Sequence, residues 1–595
     1  MSTNVIKRLR QISLVVIIVI GMVGCGQPQK VPVAPPTFAG EPGPSTPTAT
    51  AVSVATSPAA GPTSVTVVIP EDPPSFNAVI SDTGYDALVM HMTLLGMTGI
   101  DPDGNIYPVL ATELPTVENG QVVVDEKTGT MDVTWKMRQD VSWADGNPVT
   151  ADDVLFTYEA VKDPNKGFAI PGLEQVSGID KLDNYSFVVH FSSIYPGYLN
   201  FLGGRQIVIW PKHYCKLDQG YTAWDCGRNP LSDGPYTLQE WVTGDHLIFA
   251  RNPKYFEAGK PKIDQIIVRI VPDASVRETM MRQGDADILM WATEQVANDL
   301  KSVSNVKLSI SPTSRWVMRL FINLAAKGST DPAAHPNPFF GDVRVRQAIR
   351  MAIDVDKITG SVWYGYAQPV WTEFFRPPYN TCNIPRPKYD VAGAKALLDQ
   401  AGWIAGSDGI RTCKGCQYAH EGDKFQFDLL TYSEYGEPLI LTQQLIGEML
   451  KAVGIQANLT QAQGSVLWAD SASGGIEQSG NFNMDLYDDG YAGIDPSYFL
   501  SYYYSSASAV PDQGWNVMRF KNTEFDSLID QTNTLNQQDR QTAFCQMAQV
   551  LDQQLPMILL FTTLNAEAYS TRLANIQANI NNVVSWNVAD WTVVK

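Results

Sequence analysis

Three residues in the second half of the chain, Cys413, Cys416 and His420, have the types and spacing of metal ligands. With the distant Cys382 they form a C-x2-C-x3-H pattern that a structural zinc ion could use. The alternative is one or two structural disulfides, because the start of the chain indicates an oxidising compartment. Connectivity cannot be read from spacing alone. Six cysteines are available there: Cys215, Cys226, Cys382, Cys413, Cys416 and Cys545.

Three of these cysteines stand out by position. Cys215 and Cys226 flank a short segment and could close it as a loop. Cys545 lies on a helical pattern and is a candidate free buried thiol.

Sequence signatures of catalysis are missing from the chain. None of the six histidines begins an HExxH motif, and neither G-x-S-x-G nor a P-loop occurs. Asp101–Asn105 superficially resembles a calcium loop, but Gly104 comes too early and no bidentate glutamate follows at the required distance. We therefore predict a hairpin turn there, no resident metal or cofactor, and a protein that is not an enzyme.

The first residues resemble an export signal. Lys7, Arg8 and Arg10 precede an apolar run from Ile12 to Gly24, and its 13 residues fall short of the ~20 that span a bilayer as a helix. Cys25 follows small residues, as in the lipobox of bacterial lipoproteins, although Met22 replaces the usual leucine. The prediction is a signal peptide at 1–24 and lipidation of Cys25; the alternative is ordinary secretion with a spare cysteine.

Composition constrains the rest of the chain. Residues 25–64 are rich in Pro, Ala, Thr and Ser and should form a disordered tether. The remainder is too long for one simple core and predicts two or more lobes. A net charge of −19 argues against nucleic acid and against an electrostatic hold on anionic lipid.

Hydrophobic periodicity supplies the elements that must position any site. Val133, Trp135 and Met137 alternate as one face of a strand, and a helix is expected after Thr150, with Asp153 completing a capping box. Strand, helix and strand between residues 263 and 289 predict a crossover in a mixed sheet. A helix over 342–354 should begin at Asp342 as N-cap.

Many fragments, in order, resemble the family 5 extracellular solute-binding proteins, the oligopeptide-, dipeptide- and nickel-binding components of ABC importers. The matching fragments are PPSFN at 73–77, YPVLATEL at 107–114, TWKMRQDVSWADGNPVTADDVLFTYEA at 134–160, SDGPYTLQEW at 232–241, RNPKYF at 251–256, GDADIL at 284–289, DVRVRQAIRMAID at 342–354, DVAGAKALLDQAGW at 390–403, DP at 495–496 and NVMRFKNTEFDSLID at 516–530.

The resemblance implies an α/β fold of the periplasmic-binding-protein type, with mixed sheets and a ligand cleft between two lobes. Lobe I would be 65–310 plus 552–595, with a subdomain inserted at about 108–208, and lobe II would be 311–551. Trp586 and Trp591 fit a strand that returns to lobe I. Such a protein would be a lipid-anchored, extracytoplasmic monomer that delivers its solute to a permease and ATPase complex.

The resemblance also indicates where a ligand would bind. Peptide binders of this family often anchor the ligand's amine with an Asp four residues before the DP proline, and Ala492 occupies that position here. Asp488 or Asp489 could replace the anchor; the alternative is that both are solvated loop residues. Tyr491 stands where many relatives have Trp. Further candidates, each also explicable as core or surface, are Trp363, Tyr364, Tyr85, Trp468 and Asn516. Arg344 and Arg346 could bind a ligand carboxylate or form ordinary helix ion pairs.

The ligand itself stays open at the level of sequence. A peptide is the preferred interpretation, and an oligosaccharide or other organic solute is the alternative that the many aromatic residues would suit. A metal chelate would be expected to need a histidine cluster, which the six dispersed histidines do not indicate. A cell-surface sensor on the same scaffold is a further alternative.

Overall fold

The computed structural model describes residues 63–77, 83–162, 172–204, 207–216, 225–491 and 493–594. The predicted signal peptide, Cys25, nearly all of the tether and Ala492 lie outside these residues. Within the described ranges, no helix is both long enough and apolar enough to cross a membrane.

Strands and helices are numbered in chain order. Up to residue 310 they are β1 Ser64–Ile69, α1 Tyr85–Thr93, β2 Thr98–Ile100, β3 Ile106–Pro108, β4 Val122–Asp125, β5 Thr130–Lys136, α2 Ala151–Val161, β6 Val176–Asp183, β7 Ser186–Phe191, β8 Tyr236–Val242, β9 His246–Arg251, β10 Gln265–Ile270, α3 Ala274–Gln283, β11 Ile288–Ala292, α4 Glu294–Leu300 and β12 Val306–Ile310.

From residue 311 to 563 they are β13 Val317–Ile322, α5 Val343–Ala352, α6 Val355–Ser361, β14 Ala367–Pro369, α7 Val391–Gln400, β15 Trp403–Ala405, β16 Arg411–Cys413, β17 Gln426–Tyr432, α8 Glu437–Ala452, β18 Gln456–Ala462, α9 Gly464–Leu467, β19 Met484–Asp489, α10 Ser497–Tyr504, α11 Thr523–Gln531, α12 Gln537–Gln554 and β20 Met557–Thr563. The last strands are β21 Ala566–Ser570, β22 Leu573–Ala574 and β23 Thr592–Val593.

A seven-stranded sheet, called here the first sheet, has the order β12-β21-β11-β1-β10-β9-β8. Strand β1 runs parallel to both β10 and β11, and α3 connects those two strands, which confirms the predicted crossover. Asp273 starts α3 by accepting hydrogen bonds from the backbone N–H groups of Ser275 and Val276. The outer strands β9, β8, β21 and β12 pair antiparallel, so the sheet is mixed.

A separate four-stranded sheet, β4-β5-β7-β6, contains the predicted alternating strand. Met131, Val133 and Trp135 of β5 are buried, as the period of two requires. Helix α2 begins at the predicted capping box, in which Asp153 Oδ2 accepts from the Thr150 backbone N–H at 2.8 Å. The Asp101–Asn105 segment joins β2 to β3 as the predicted hairpin turn.

A six-stranded sheet, the second sheet, has the order β14-β20-β13-β19-β17-β18. Helix α5 packs on it through Val345, Ala348 and Ile349, and Asp342 caps it as predicted. Arg344 pairs with Asp342 at 2.6 Å, and the buried Arg346 donates to the Gln554 carbonyl oxygen. Both arginines therefore have structural partners on or beside their own helix.

The chain passes between the two sheets twice, and the passages lie side by side. Ser311 N donates to the Asn565 carbonyl at 2.9 Å, and Thr562 Oγ1 donates to the Ser314 carbonyl at 3.2 Å. The lobe boundaries stay a prediction, and strand pairing would place the return to the first sheet at Ala566 instead of 552.

The strand that returns to the first sheet is β21, so the prediction that Trp586 and Trp591 belong to it is wrong. Trp586 lies in a 3-10 helix, Val584–Asp590, and Trp591 follows that helix as a fully buried side chain. Both tryptophans have apolar neighbours in the sequence, and a short buried helix accounts for that pattern as well as a strand does.

Three disulfides join the six cysteines: Cys215–Cys226, Cys382–Cys545 and Cys413–Cys416. The prediction that Cys545 is a free thiol is wrong, because its position on α12 brings it to Cys382, 163 residues earlier. The Cys413–Cys416 and Cys382–Cys545 bonds take all three thiols of the zinc alternative, and His420 is exposed beside Asp423.

Candidate ligand-binding site

Strand β19 carries two of the eight predicted ligand-binding residues, Asp488 and Asp489, and Tyr491 follows it. It lies between β13 and β17 in the second sheet, antiparallel to the first and parallel to the second. Because side chains alternate along a strand, Asp485, Tyr487 and Asp489 share one side and Asp488 points to the other. Asp488 and Asp489 lie at the end of this strand and are partly buried, so they are not residues of a solvated loop.

Asp489 is held in place by its neighbours. Its Oδ1 accepts from the Gly490 backbone N–H at 2.6 Å, and the Tyr503 hydroxyl donates to its Oδ2. Burial raises the pKa of the Asp489 carboxyl to about 6, although the nearby positive charge of Arg319 acts in the opposite direction. The side chain can therefore change its charge near neutral pH.

Asp488 occupies the opposite side of the strand, near Tyr435. Burial, followed by the negative charge of Asp489, raises the pKa of the Asp488 carboxyl to about 7. Burial and the charges of Asp488 and Glu294 together raise the pKa of the Tyr435 hydroxyl. Glu294 belongs to α4, beside the first sheet, so this tyrosine lies within electrostatic reach of acids from both sheets.

A buried ion pair supports this strand end. Arg319 Nη1 lies 2.6 Å from Glu373 Oε1, and the two side chains are 0% and 1% exposed. Arg319 Nη2 also donates to the Asp489 backbone carbonyl at 2.8 Å, and the Tyr504 hydroxyl donates to Glu373. The position of Asp489 thus depends on a charge pair that sequence patterns did not reveal.

The loop after β19 is fixed by two further arginines. Arg376 Nη2 donates to the Tyr491 carbonyl at 2.8 Å, and its guanidinium carbon lies 4.0 Å from the centre of the Tyr491 ring. Arg540 binds Asp495 at 2.7 Å and the Tyr379 hydroxyl at 2.7 Å. Tyr491 itself is buried, so its ring packs against Arg376 and Phe499.

Two acids beside this site form no ion pair with a basic side chain among the described residues. Glu477 and Asp485 are both fully buried, and the Tyr487 hydroxyl donates to Glu477 at 3.1 Å. Burial raises the pKa of each carboxyl, and the negative charge of Asp485 adds to the effect on Glu477. Glu477 was missed because its polar sequence neighbourhood gives no sign of burial.

Trp468 lines an open cavity near Asp488. The cavity has a volume of about 430 Å³, and its lining residues are Tyr432, Glu434, Gly464, Ser465, Trp468 and Ala469. The Tyr432 and Trp468 rings lie 4.8 Å apart between centres, and Trp468 also contacts Tyr487 of β19 at 5.5 Å. The predicted residues Trp468, Asp488 and Asp489 therefore belong to one region of the second sheet.

The other predicted residues lie elsewhere. Trp363 is buried against Phe561 and donates through Nε1 to Thr442 Oγ1 at 3.1 Å. Tyr364 is 43% exposed, has a positive φ of 52°, and donates through its hydroxyl to Gln295 Oε1 of α4.

Asn516 and Tyr85 complete the set. Asn516 is fully buried and donates to the carbonyls of Ser505 and Phe520. Tyr85 begins α1 and packs against Trp291 at 5.6 Å, on the first sheet. As ligand contacts, all four of these residues stay predictions: Trp363, Tyr364, Asn516 and Tyr85.

Comparison with known proteins supports one family. The family model described as bacterial extracellular solute-binding proteins, family 5 middle, matches residues 105–510. The oligopeptide-binding protein AppA of Bacillus subtilis is 25% identical over 546 residues, covering 88% of this chain and 90% of that protein. The glutathione-binding protein GsiB of Salmonella paratyphi A is 23% identical over 501 residues, covering 83% and 88%.

Solved structures agree in fold. AppA of Bacillus subtilis in complex with a nonapeptide aligns with a TM-score of 0.63 and 22% identity, over 90% of this chain and all of that chain. NikZ from Campylobacter jejuni in complex with Ni(L-His) aligns with a TM-score of 0.67 and 22% identity, over 89% and 99%. The predicted mixed α/β fold of the binding-protein type is thereby confirmed.

Proposed function

Because this chain belongs to the bacterial extracellular solute-binding proteins of family 5, we propose that it captures peptides and delivers them to the permease of an ABC importer. It is an extracytoplasmic substrate-binding component of such a transporter, in a family that is non-enzymatic. The peptide is the part of this statement that needs support of its own.

The observation that carries the peptide proposal is the similarity to an oligopeptide-binding protein along nearly the whole of both chains. The site is compatible with it. Asp488 and Asp489 lie on opposite sides of β19, and either carboxylate is a candidate partner for an amine. The surrounding tyrosine hydroxyls can donate to or accept from a peptide backbone. A charged amine beside a carboxylate in a partly buried site makes a strong hydrogen bond.

An oligosaccharide or another organic solute is the second candidate. The exposed faces of Trp468 and Tyr432 would suit a sugar ring that stacks on them. A metal chelate is a third candidate; within the described ranges no group of three or more His, Cys, Asp or Glu side chains could hold a metal ion without a chelator.

The proposed cycle is closure of two lobes over the ligand. Tyr364, beside the second sheet, reaches Gln295 of α4 beside the first sheet, which is the kind of contact that a closed form gains. A ligand that binds the closed form more tightly than the open form shifts the protein toward the closed form, which the permease would then recognise.

The anchor in this proposal is a diacylglyceryl group on Cys25. Replacing Cys25 with alanine should move the protein from the membrane fraction to the soluble extracytoplasmic fraction. Retention of the Cys25→Ala protein in the membrane fraction would contradict the lipid anchor.

Native mass spectrometry of the full chain, released from purified membranes in mild detergent, tests the ligand. The expected result is a heterogeneous series of bound masses that fragment into amino-acid residues. A single bound mass that fragments as a sugar or a metal chelate would contradict the peptide proposal.

A further inference from the structure

The cavity between Tyr432 and Trp468 is built differently from an ordinary apolar side-chain pocket. We infer that it is a subsite for a positively charged side chain, the ammonium of lysine or the guanidinium of arginine, in a bound peptide. This inference rests on the proposed function and names part of its specificity.

The first support is the arrangement of the two rings. Their centres are 4.8 Å apart and their planes meet at 59°, so the rings form a corner instead of a closed stack. The cavity of about 430 Å³ opens beside them. Trp468 is 37% exposed, which leaves ring surface free. The face of an aromatic ring is negative and attracts a cation placed over it.

The second support is the negative charge beside the two rings. Glu434 lines the cavity, and both of its carboxylate oxygens accept from the Gly464 backbone N–H, at 3.0 and 3.2 Å. This hydrogen bond is the largest of the causes that lower the pKa of Glu434, so the carboxylate is charged at neutral pH. A fixed carboxylate at the mouth of an aromatic corner favours a cation.

The third support comes from the strand behind the cavity. After burial, the charges of Asp488 and Glu434 are the causes that raise the pKa of the Tyr432 hydroxyl, so both acids act on this ring. The described residues that line the cavity include no lysine or arginine. The charge of Glu434 is therefore left without a basic partner among these lining residues, whereas Asp488 and Asp489 have Arg319 nearby and Asp495 has Arg540.

A neutral solute would use this corner differently. An apolar side chain would gain contact with the rings but no attraction to Glu434, and a sugar would add only hydrogen bonds from its neutral hydroxyls to that carboxylate. A cation gains both, and its long aliphatic stem can lie along the rings while its head reaches the carboxylate. A pair of ligands that differ only in this charge therefore separates the possibilities.

The test measures binding of synthetic pentapeptides to the full chain in detergent by isothermal titration calorimetry. One series carries a single lysine, moved through the five positions of an alanine peptide, and the second carries norleucine in its place. We expect at least one lysine peptide to bind about tenfold more tightly than its norleucine counterpart. The variants Glu434→Gln and Trp468→Leu should reduce this preference to about twofold or less.

Controls separate the subsite from general effects. Glu437→Gln removes an exposed acid on the same loop–helix junction that does not line the cavity, and it should leave the preference unchanged. Circular dichroism verifies that each variant is folded. Equal affinities of lysine and norleucine peptides at every position would overturn the inference, as would equal effects of Glu434→Gln and Glu437→Gln.

Two further outcomes are informative. If N-acetylation of the peptide, and not the loss of lysine, removes the dependence on Glu434, the cation is the terminal amine and the side-chain subsite is wrong. If no peptide of either series binds while the purified protein carries a non-peptide solute, the proposed function fails together with this inference. Binding of both series without preference rejects the subsite alone.

Discussion

The ion pair between Arg319 and Glu373 should be a large single contribution to the integrity of the ligand site. Glu373→Gln keeps the volume and one hydrogen-bonding oxygen of the side chain but removes its charge. Both partners are at most 1% exposed, so the guanidinium would be left in a buried place without its nearest counter-ion. Removing one partner of a buried pair typically costs about 3–5 kcal/mol.

The loss should depend on pH because a second acid lies nearby. Glu373 raises and Arg319 lowers the pKa of Asp489, so removal of the Glu373 charge lowers that pKa from its value of about 6. At pH 8 Asp489 is charged and can partly replace Glu373. At pH 5 a smaller fraction of it is charged, so the loss should be larger than at pH 8 and should approach about 3–5 kcal/mol.

Urea unfolding at both pH values measures this effect, with Arg319→Met and the double variant completing a mutant cycle. The double variant should be more stable than the sum of the two single losses predicts, by about 2 kcal/mol or more, since no charge is left unpaired. Asp356→Asn breaks an exposed pair with Arg386 and should cost about 0.5 kcal/mol or less. Additive single losses, or a loss below about 1 kcal/mol at pH 5, would refute the reasoning.

Three other predictions concern the second sheet and the elements around it. Because the pKa values of Asp488 and Asp489 are raised on folding, their contribution to stability is full below about pH 4 and is lost as pH rises through about 6–7. Replacing both residues with asparagine should therefore make the unfolding free energy less dependent on pH across that window. An unchanged pH profile would contradict this prediction. Replacing Cys382 and Cys545 with serine should lower the unfolding free energy in urea by about 2–4 kcal/mol, and this difference from the wild type should disappear when both proteins are reduced. Asn516→Leu strands two buried carbonyls and should cost about 2–4 kcal/mol while ligand affinity in the folded fraction stays unchanged; a loss of affinity without loss of stability would instead make Asn516 a ligand contact.

The sequence was most informative where cause and effect lie close together along the chain. Thr150 with Asp153, and Asp342 with its own helix, start helices through contacts two or three residues away, and both were predictable. The crossover through α3 was predictable for the same reason, since a period of 2 followed by one of 3.6 is a local signal.

The site depends on partners that are far apart in sequence. Arg319 and Glu373 are 54 residues apart, and Cys382 and Cys545 are 163 apart, so no local pattern links them. Trp363 shows the converse limit: an aromatic residue near a glycine suits a cleft or a core equally in sequence, and its burial and its hydrogen bond to Thr442 become visible only in the structure. Family resemblance pointed to Asp488, Asp489 and Tyr491 as candidates but predicted neither the strand that carries the two acids nor their charge environment.

The two passages between the sheets, joined through Ser311 and Asn565, bear on how this protein can be re-engineered. They are bound to each other in register, so neither is a spacer whose length is free. An insertion of one residue in either passage would shift the pairing of β12 with β21 or of β13 with β20. Sites for fusions, reporter insertions or new termini should therefore be sought in the exposed turns, such as the one between β4 and β5, where added residues can extend into solvent beyond the last paired residues.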